Sequence, residues 1–378
     1  MKRTLRTLLS ILICLCFTTC LFENKMAIKL ISSEAFDTII DRQEVKLYTL
    51  KNKQGITAQI TNFGGRVVSL WLPDKTGHFD DVVLGFNHID AYQTSKEKYF
   101  GALIGRYGNR ISKGRFVLED STYFLVKNNG QNHLHGGNKG FESVVWKVDS
   151  FTDNTLVLSY FSTHMEEGYP GNLTVRVEYQ LTDENELRIQ YFAQSDQTTI
   201  INLTHHSFFN LKGAGNGNIN NHLMQINADY FTSIDDQLIP TGGIQKVVNT
   251  PFDFLLPTQI GSRIDVVDEQ LNYGQGYDHN YVLNPSDSIV TFAARVVEPL
   301  SKRTLEVYTN EPGIQFYGGN FLDGTVRGKN DKSYEYRGAF CLETQHFPDS
   351  PNKTHFPTTS LRAGESYYSI CIYKFGLS

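Results

Sequence analysis

The dominant spacing of apolar residues along the chain is two. Leu173, Val175, Val177, Tyr179 and Leu181 alternate with Thr174, Arg176, Glu178 and Gln180. Asp183, Glu184 and Asn185 supply turn residues, and Leu187, Ile189 and Tyr191 resume the alternation. This pattern describes two antiparallel strands with one face on a core and one on water. Residues 56–60 alternate in the same way, and residues 116–118 and 123–125 flank Glu119, Asp120 and Ser121 as a second hairpin. Further β-rich runs cover 156–161, 289–297, 305–308 and 367–373, whereas helical spacing is confined to 263–271. Strands at short intervals with Gly, Asn and Asp between them predict an all-β fold, a large antiparallel β-sandwich. No proline-rich linker, composition break or repeat divides the chain after residue 30, so residues 21–378 are read as one domain.

The first twenty residues break the pattern. Lys2, Arg3 and Arg6 precede an apolar run over residues 8–17, too short to cross a bilayer as a helix. A basic flank, a short apolar core and small residues after it predict a signal peptide over residues 1–20. Phe17, Thr18, Thr19 and Cys20 resemble a bacterial lipoprotein box, which makes Cys20 a candidate lipidation site. The expected location is exported, either periplasmic or lipid-anchored to the cell envelope, with that anchor as the sole membrane contact. A start at Met26 would instead give a cytoplasmic chain.

Composition sharpens this. The chain has 378 residues, 35 Lys+Arg against 40 Asp+Glu, and a net charge of −5. Without the three cations of the signal, 32 cations face 40 acids and the charge is −8. Nucleic acid, which requires a basic field, is not an expected partner. Cys14, Cys16 and Cys20 belong to the signal, while Cys341 and Cys371 sit in apolar runs as buried thiols or a disulfide. Monomer and dimer fit the sequence equally.

Five segments interrupt the alternation and hold six of the eleven histidines: 105–111, 132–137, 202–210, 277–281 and 341–349. Each mixes titratable, amide and aromatic or glycine residues, as loops lining a polar pocket do. His205 and His206 are adjacent, so an extended backbone sends them to opposite faces and they cannot share one metal ion. Glu343 shares strand parity with Cys341; if Cys341 faces the core, so does Glu343, and an inward carboxylate needs a partner or a function. Arg110 and Asp278 have ordinary alternatives as a surface ion pair and a turn residue. Asp278 and Glu343 could pair as glycosidase carboxylates, which leaves the histidines without a role. No serine nucleophile elbow, phosphate loop or dinucleotide glycine pattern is present.

Taken together, these segments resemble the aldose 1-epimerase (galactose mutarotase) family. The resemblance runs over residues 48–373 through DVVLGF (81–86), YFGALIGRYGNRISKGRF (99–116), NHLHGG (132–137), GYPG (168–171), NLTHHSFFNL (202–211), DHNYVL (278–283), GIQFYGGNFLDG (313–324) and LETQHFPDSPN (342–352). It implies a large β-sandwich that interconverts the α and β anomers of free aldohexoses such as glucose and galactose. It also implies Glu343 as general base on the anomeric hydroxyl, His206 as general acid on the ring oxygen, and His135 as the second histidine on that side. Asn109, Arg110, Asp278 and Gln315 correspond to the residues that hold sugar hydroxyls, and Ser207 and Phe208 follow the acid. The partner is a small-molecule aldose, and no metal or organic cofactor is expected. Three positions depart from the family's common residues: Gly108 for Ala, His205 for Asn and Phe208 for Tyr.

Overall fold

The computed structural model describes residues 28–378. The expected signal peptide over residues 1–20 and the candidate lipidation site Cys20 lie outside the described residues. The hairpin expected from the alternation forms Leu173–Leu181 and Glu186–Ser195, in register from Leu173↔Ser195 to Leu181↔Leu187. It lies within an antiparallel nine-stranded sheet. In spatial order the strands are Lys147–Phe151, Thr155–Ser162, Leu173–Leu181, Glu186–Ser195, Ser366–Leu377, Arg303–Thr309, Thr291–Val297, Leu223–Ile226 and Thr258–Gln259.

Two smaller sheets share its core. One orders Pro240–Lys246, Tyr230–Ile234, Asp278–Val282, Gly313–Tyr317 and Cys341–Gln345. The other orders Leu47–Lys51, Thr57–Thr61, Arg66–Pro73 and Phe79–Asp81. Val175, Val177, Ile189 and Val307 from the large sheet join Ile60 and Leu70 from the four-stranded sheet and Ile314 and Leu342 from the five-stranded sheet in one cluster of buried side chains. Tyr179 donates its phenol to Gly65 O at 2.6 Å and Tyr373 to Leu342 O at 3.0 Å, so large side chains of one layer end on backbone of the other. A buried phenol requires such a partner.

Helix is scarce and short. The expectation over 263–271 is displaced: the helix is Glu269–Gly274, because Asp268 caps it by accepting from the Gln270 and Leu271 N–H groups. A second helix, Ile89–Thr94, is six residues long, too short for a 3.6-residue period to register. Cys341 and Cys371 are both buried free thiols.

Arg106 ties the site region to the sandwich. Its Nε donates to Ser162 Oγ, Nη1 to Pro170 O and Gly171 O, and Nη2 to Ser162 O and Thr163 O, all within 2.8–3.0 Å. All five donors of the guanidinium are used. Burial pulls its pKa down to about 10, leaving it charged at neutral pH. Arg106→Ala would leave those acceptors unpaired, and urea denaturation should show a loss of about 3 kcal/mol. A loss below about 1 kcal/mol would mean water replaces the guanidinium at no penalty.

Candidate active site

Two strand registers assemble the site. Thr204–His206 pairs with Ala102–Ile104 on one side. Just beyond it, Phe209 N–H donates to Phe340 O at 2.8 Å and Phe340 N–H to Phe209 O at 2.9 Å. Antiparallel registry carried back along one chain and forward along the other sets His206 opposite Glu343. His206 Nε2 lies 3.5 Å from Glu343 Oε1, and both side chains are almost fully buried. The opposite-face expectation for the histidine pair holds as well. His205 turns into the core beside Tyr179 and Tyr373, with ring centroids 6.0 Å away in each case.

The second register joins Arg110–Ile111 to His133–Leu134. It continues through Asn109 N–H donating to His135 Nδ1 and His135 N–H donating to Asn109 O, both at 3.1 Å. Asn109 and His135 hold left-handed φ of 64° and 51°, which costs roughly 1 kcal/mol or more at each. The reciprocal bonds hold them there. Gly136 follows because a Cβ at that position would lie 1.8 Å from Gly105 O.

These pieces wall a cavity of about 510 Å³. Asn109, Arg110, His135, His206, Phe208, Asp278 and Glu343 line it. Ser207 is buried but does not line it. Gln315 acts one step back: it sits opposite Glu343 in the sheet, and its Nε2 donates to Asp278 Oδ1 at 2.7 Å. Arg110 Nη1 approaches Asp278 Oδ2 at 3.8 Å, and its Nε donates to Asn129 Oδ1 at 3.1 Å. Asp278 is thus committed to Gln315 and Arg110 while Glu343 faces His206, so the two carboxylates occupy different environments.

The remaining histidines of the five segments are structural. His133 bridges Val126 O and the Tyr169 phenol, each at 2.7 Å. His279 packs against Phe231 and Phe252, and His346 pairs with Glu311 at 2.6 Å.

Several wall residues had no sequence signal of their own. The Tyr99 ring lies 5.7 Å from His206 at an interplanar angle of 18° and 4.7 Å from His135. Glu97, Tyr273, Tyr317 and Phe321 also line the cavity. Tyr99, Tyr317 and Phe321 fall in motifs quoted above, whereas Glu97 and Tyr273 lie in stretches whose residue types are ordinary for turns and helix ends.

The departures from the family's common residues can be placed. A Cβ on Gly108 would come within 2.9 Å of Thr204 Cγ2, so Ala there requires the Thr204 strand to give slightly. Both ring nitrogens of His205 lack a partner. Phe208 stacks on His206 at 4.8 Å and 17°, a contact that does not need a hydroxyl.

Burial sets the protonation of the trio. It pushes Glu343 well above the usual carboxylate range, and the nearby Asp278 charge adds to this while Arg110 opposes it. It pushes His206 down to about 3. His135 also falls well below the ordinary imidazole value, first through burial and then through His206 and Arg110. Desolvation therefore disfavours charge on each group, and the paired state with the proton on Glu343 and a neutral His206 is the resting one. His206 Nδ1 and Glu343 Oε2 have no protein partner.

Potential ligand atoms of His135, His206 and Glu343 lie within 4.8 Å of one another, a donor set that zinc accepts elsewhere. The hydrogen bonding argues against that use. Because Asn109 N–H points at His135 Nδ1, that nitrogen must be the unprotonated one, and a neutral ring then carries its proton on Nε2. His135 presents a donor rather than a free lone pair.

Comparison with known proteins finds relatives over most of the chain. Residues 46–374 match the family model described as Aldose 1-epimerase. Galactose mutarotase of Bos taurus is 44% identical over 334 residues, covering 88% of this chain and 95% of that protein. Aldose 1-epimerase of Escherichia coli (strain K12) is 35% identical over 337 residues, covering 89% and 96%. Among solved structures, an aldose epimerase homologue from C. elegans superposes with a TM-score of 0.82 at 31% identity, covering 88% of this chain and 99% of that one. Galactose 1-epimerase from Lactobacillus acidophilus NCFM superposes at 0.80 and 27%, covering 91% and 98%.

The tautomer of His135 is open to direct measurement. Nitrogen-15 NMR of the imidazoles should place its proton on Nε2 and show no further protonation from roughly pH 8 down to pH 5. A signal typical of the Nδ1–H form would remove the argument against a metal.

Proposed function

The chain belongs to the aldose 1-epimerase family and interconverts the anomers of aldoses, and we propose that Glu343 and His206 carry out this reaction on free galactose and glucose. The observation that carries the assignment is the buried His206–Glu343 pair, 3.5 Å apart and facing a polar cavity.

Ring opening must remove a proton from the anomeric hydroxyl and deliver one to the ring oxygen. The two sugar oxygens share one carbon, so a base and an acid a few ångströms apart can serve both. With the pair as carboxylate and imidazolium, Glu343 accepts the O1 proton while His206 protonates O5 and the C1–O5 bond breaks. The pair is left as carboxylic acid and neutral imidazole, the form that burial favours. The free aldehyde turns about C1–C2, and closure runs the transfers backwards onto the other face. His135 donates from Nε2 to the ring-oxygen side and offsets charge there.

Arg110, Asn109 and Asp278 hold the remaining hydroxyls, with Gln315 fixing Asp278. Arg110, Asn109 and Asp278 present their polar atoms to the cavity, where sugar hydroxyls would pair with them. Each unmade bond at a buried polar atom costs about 1–3 kcal/mol, so epimers that misplace a hydroxyl bind less well. Tyr99, Phe208 and Tyr317 offer aromatic faces to the sugar's C–H surfaces.

Glu343→Gln should lower kcat by about 10²–10⁴-fold in polarimetry of freshly dissolved α-D-glucose or α-D-galactose. A wild type that only matches the buffer rate would sink the assignment. The pH profile should be bell-shaped, because catalysis needs one proton on the pair. Raising the pH past the elevated Glu343 value removes that proton. Lowering it towards the depressed His206 value adds a second and leaves no base. The alkaline limb should vanish in Glu343→Gln.

Export is a separate reading, supported by the basic and apolar start of the chain and by Cys20. Labelled palmitate should enter the wild-type protein and not Cys20→Ala; no Cys20-dependent label would remove the lipid anchor.

A further inference from the structure

Helix Ile89–Thr94 ends at Ser95, whose N–H donates to Ala91 O at 2.9 Å. Ser95 Oγ then accepts from Glu97 N–H at 3.0 Å, and Glu97 Oε1 accepts from Tyr99 N–H at 3.1 Å. These bonds fix a short segment that delivers Glu97 and Tyr99 to the wall of the cavity. The mechanism above gives Glu97 no role. Among the described residues no donor reaches its second carboxyl oxygen, and the residue is only part-buried, so that oxygen is open to a ligand in the cavity.

The position of Tyr99 gives Glu97 a direction. The Tyr99 ring lies against both His206 and His135, the two groups assigned above to the ring-oxygen side. The ring oxygen protonated by His206 is bonded to C1 on one side and C5 on the other. A group anchored to the Tyr99 backbone therefore faces the C5 end of the sugar. We propose that Glu97 is a specificity-determining residue that binds the hydroxymethyl group on C5, so that the protein favours hexoses over pentoses. This rests on the mutarotase reading and on the roles given there to His206 and Glu343.

The surroundings suit a hydroxyl ligand. Burial lifts Glu97 to about 7, against the pull of the Arg66 guanidinium. Arg66 itself is held away by Phe100 O at 3.0 Å and Glu142 O at 2.8 Å, so it does not consume the carboxyl as an ion pair. Tyr99, Tyr317 and Cys341 lie within its field, and burial holds all three neutral. A carboxyl poised this way can donate to or accept from a primary hydroxyl.

D-Glucose and D-xylose differ only in the C5 hydroxymethyl group, and both mutarotate measurably by polarimetry. Glu97→Ala should raise KM for D-glucose about tenfold or more and for D-xylose by less than about twofold. Glu97→Gln keeps a side-chain oxygen for the Tyr99 N–H and should fall between, which separates lost recognition from lost folding. Equal changes for both sugars, or no change in either, would overturn the proposal. A wild type that accelerates neither sugar would overturn the mutarotase reading itself, and with it this one.

Discussion

The site depends on one constraint: an imidazole and a carboxylate face each other where water is largely excluded. The Phe209–Phe340 backbone bridge sets the registry, and the registry makes His206 and Glu343 neighbours. Each group alone would resist carrying charge in that setting. Together they hold one proton, which burial places on Glu343 beside a neutral His206, so the charged arrangement is the one that turnover must reach. Supporting features serve this pair: Phe208 and Tyr99 exclude water over the imidazole, Asp278 biases the carboxylate, and His135 supplies a donor whose orientation its own loop dictates.

Much of the fold was readable from period-two spacing. The strand Leu173–Leu181 alternates in burial as its letters alternate in polarity, since one face meets the core and the other meets solvent. The five-stranded sheet is harder to read. Strands Gly313–Tyr317 and Cys341–Gln345 are buried at every position, so Gln315, Glu343 and Gln345 interrupt the apolar pattern for reasons of chemistry. A motif-based reading recovers these residues where periodicity cannot.

The site was legible to the extent that its residues are unusual for their surroundings. His135 before two glycines, adjacent His205 and His206, and Glu343 in an apolar strand all stood out. Glu97 and Tyr273 did not, because Glu and Tyr are common beside turns and only the chain's path brings them to the cavity. Gln315 and Ser207 show the opposite limit. Both stand in recognisable motifs, yet one acts through Asp278 and the other does not line the cavity.

The shared proton has one more consequence. Ring opening moves it from His206 to Glu343 by way of the sugar, and closure moves it back, so the buried site begins and ends with the same net charge. No proton need enter from bulk solvent during turnover, and no counter-ion need follow. Ionic strength, which screens exposed charges over about 10 Å, has little to act on at the reacting atoms. The chemistry is electrically insulated from its surroundings, which leaves the acidic surface free to vary with the compartment in which the protein works.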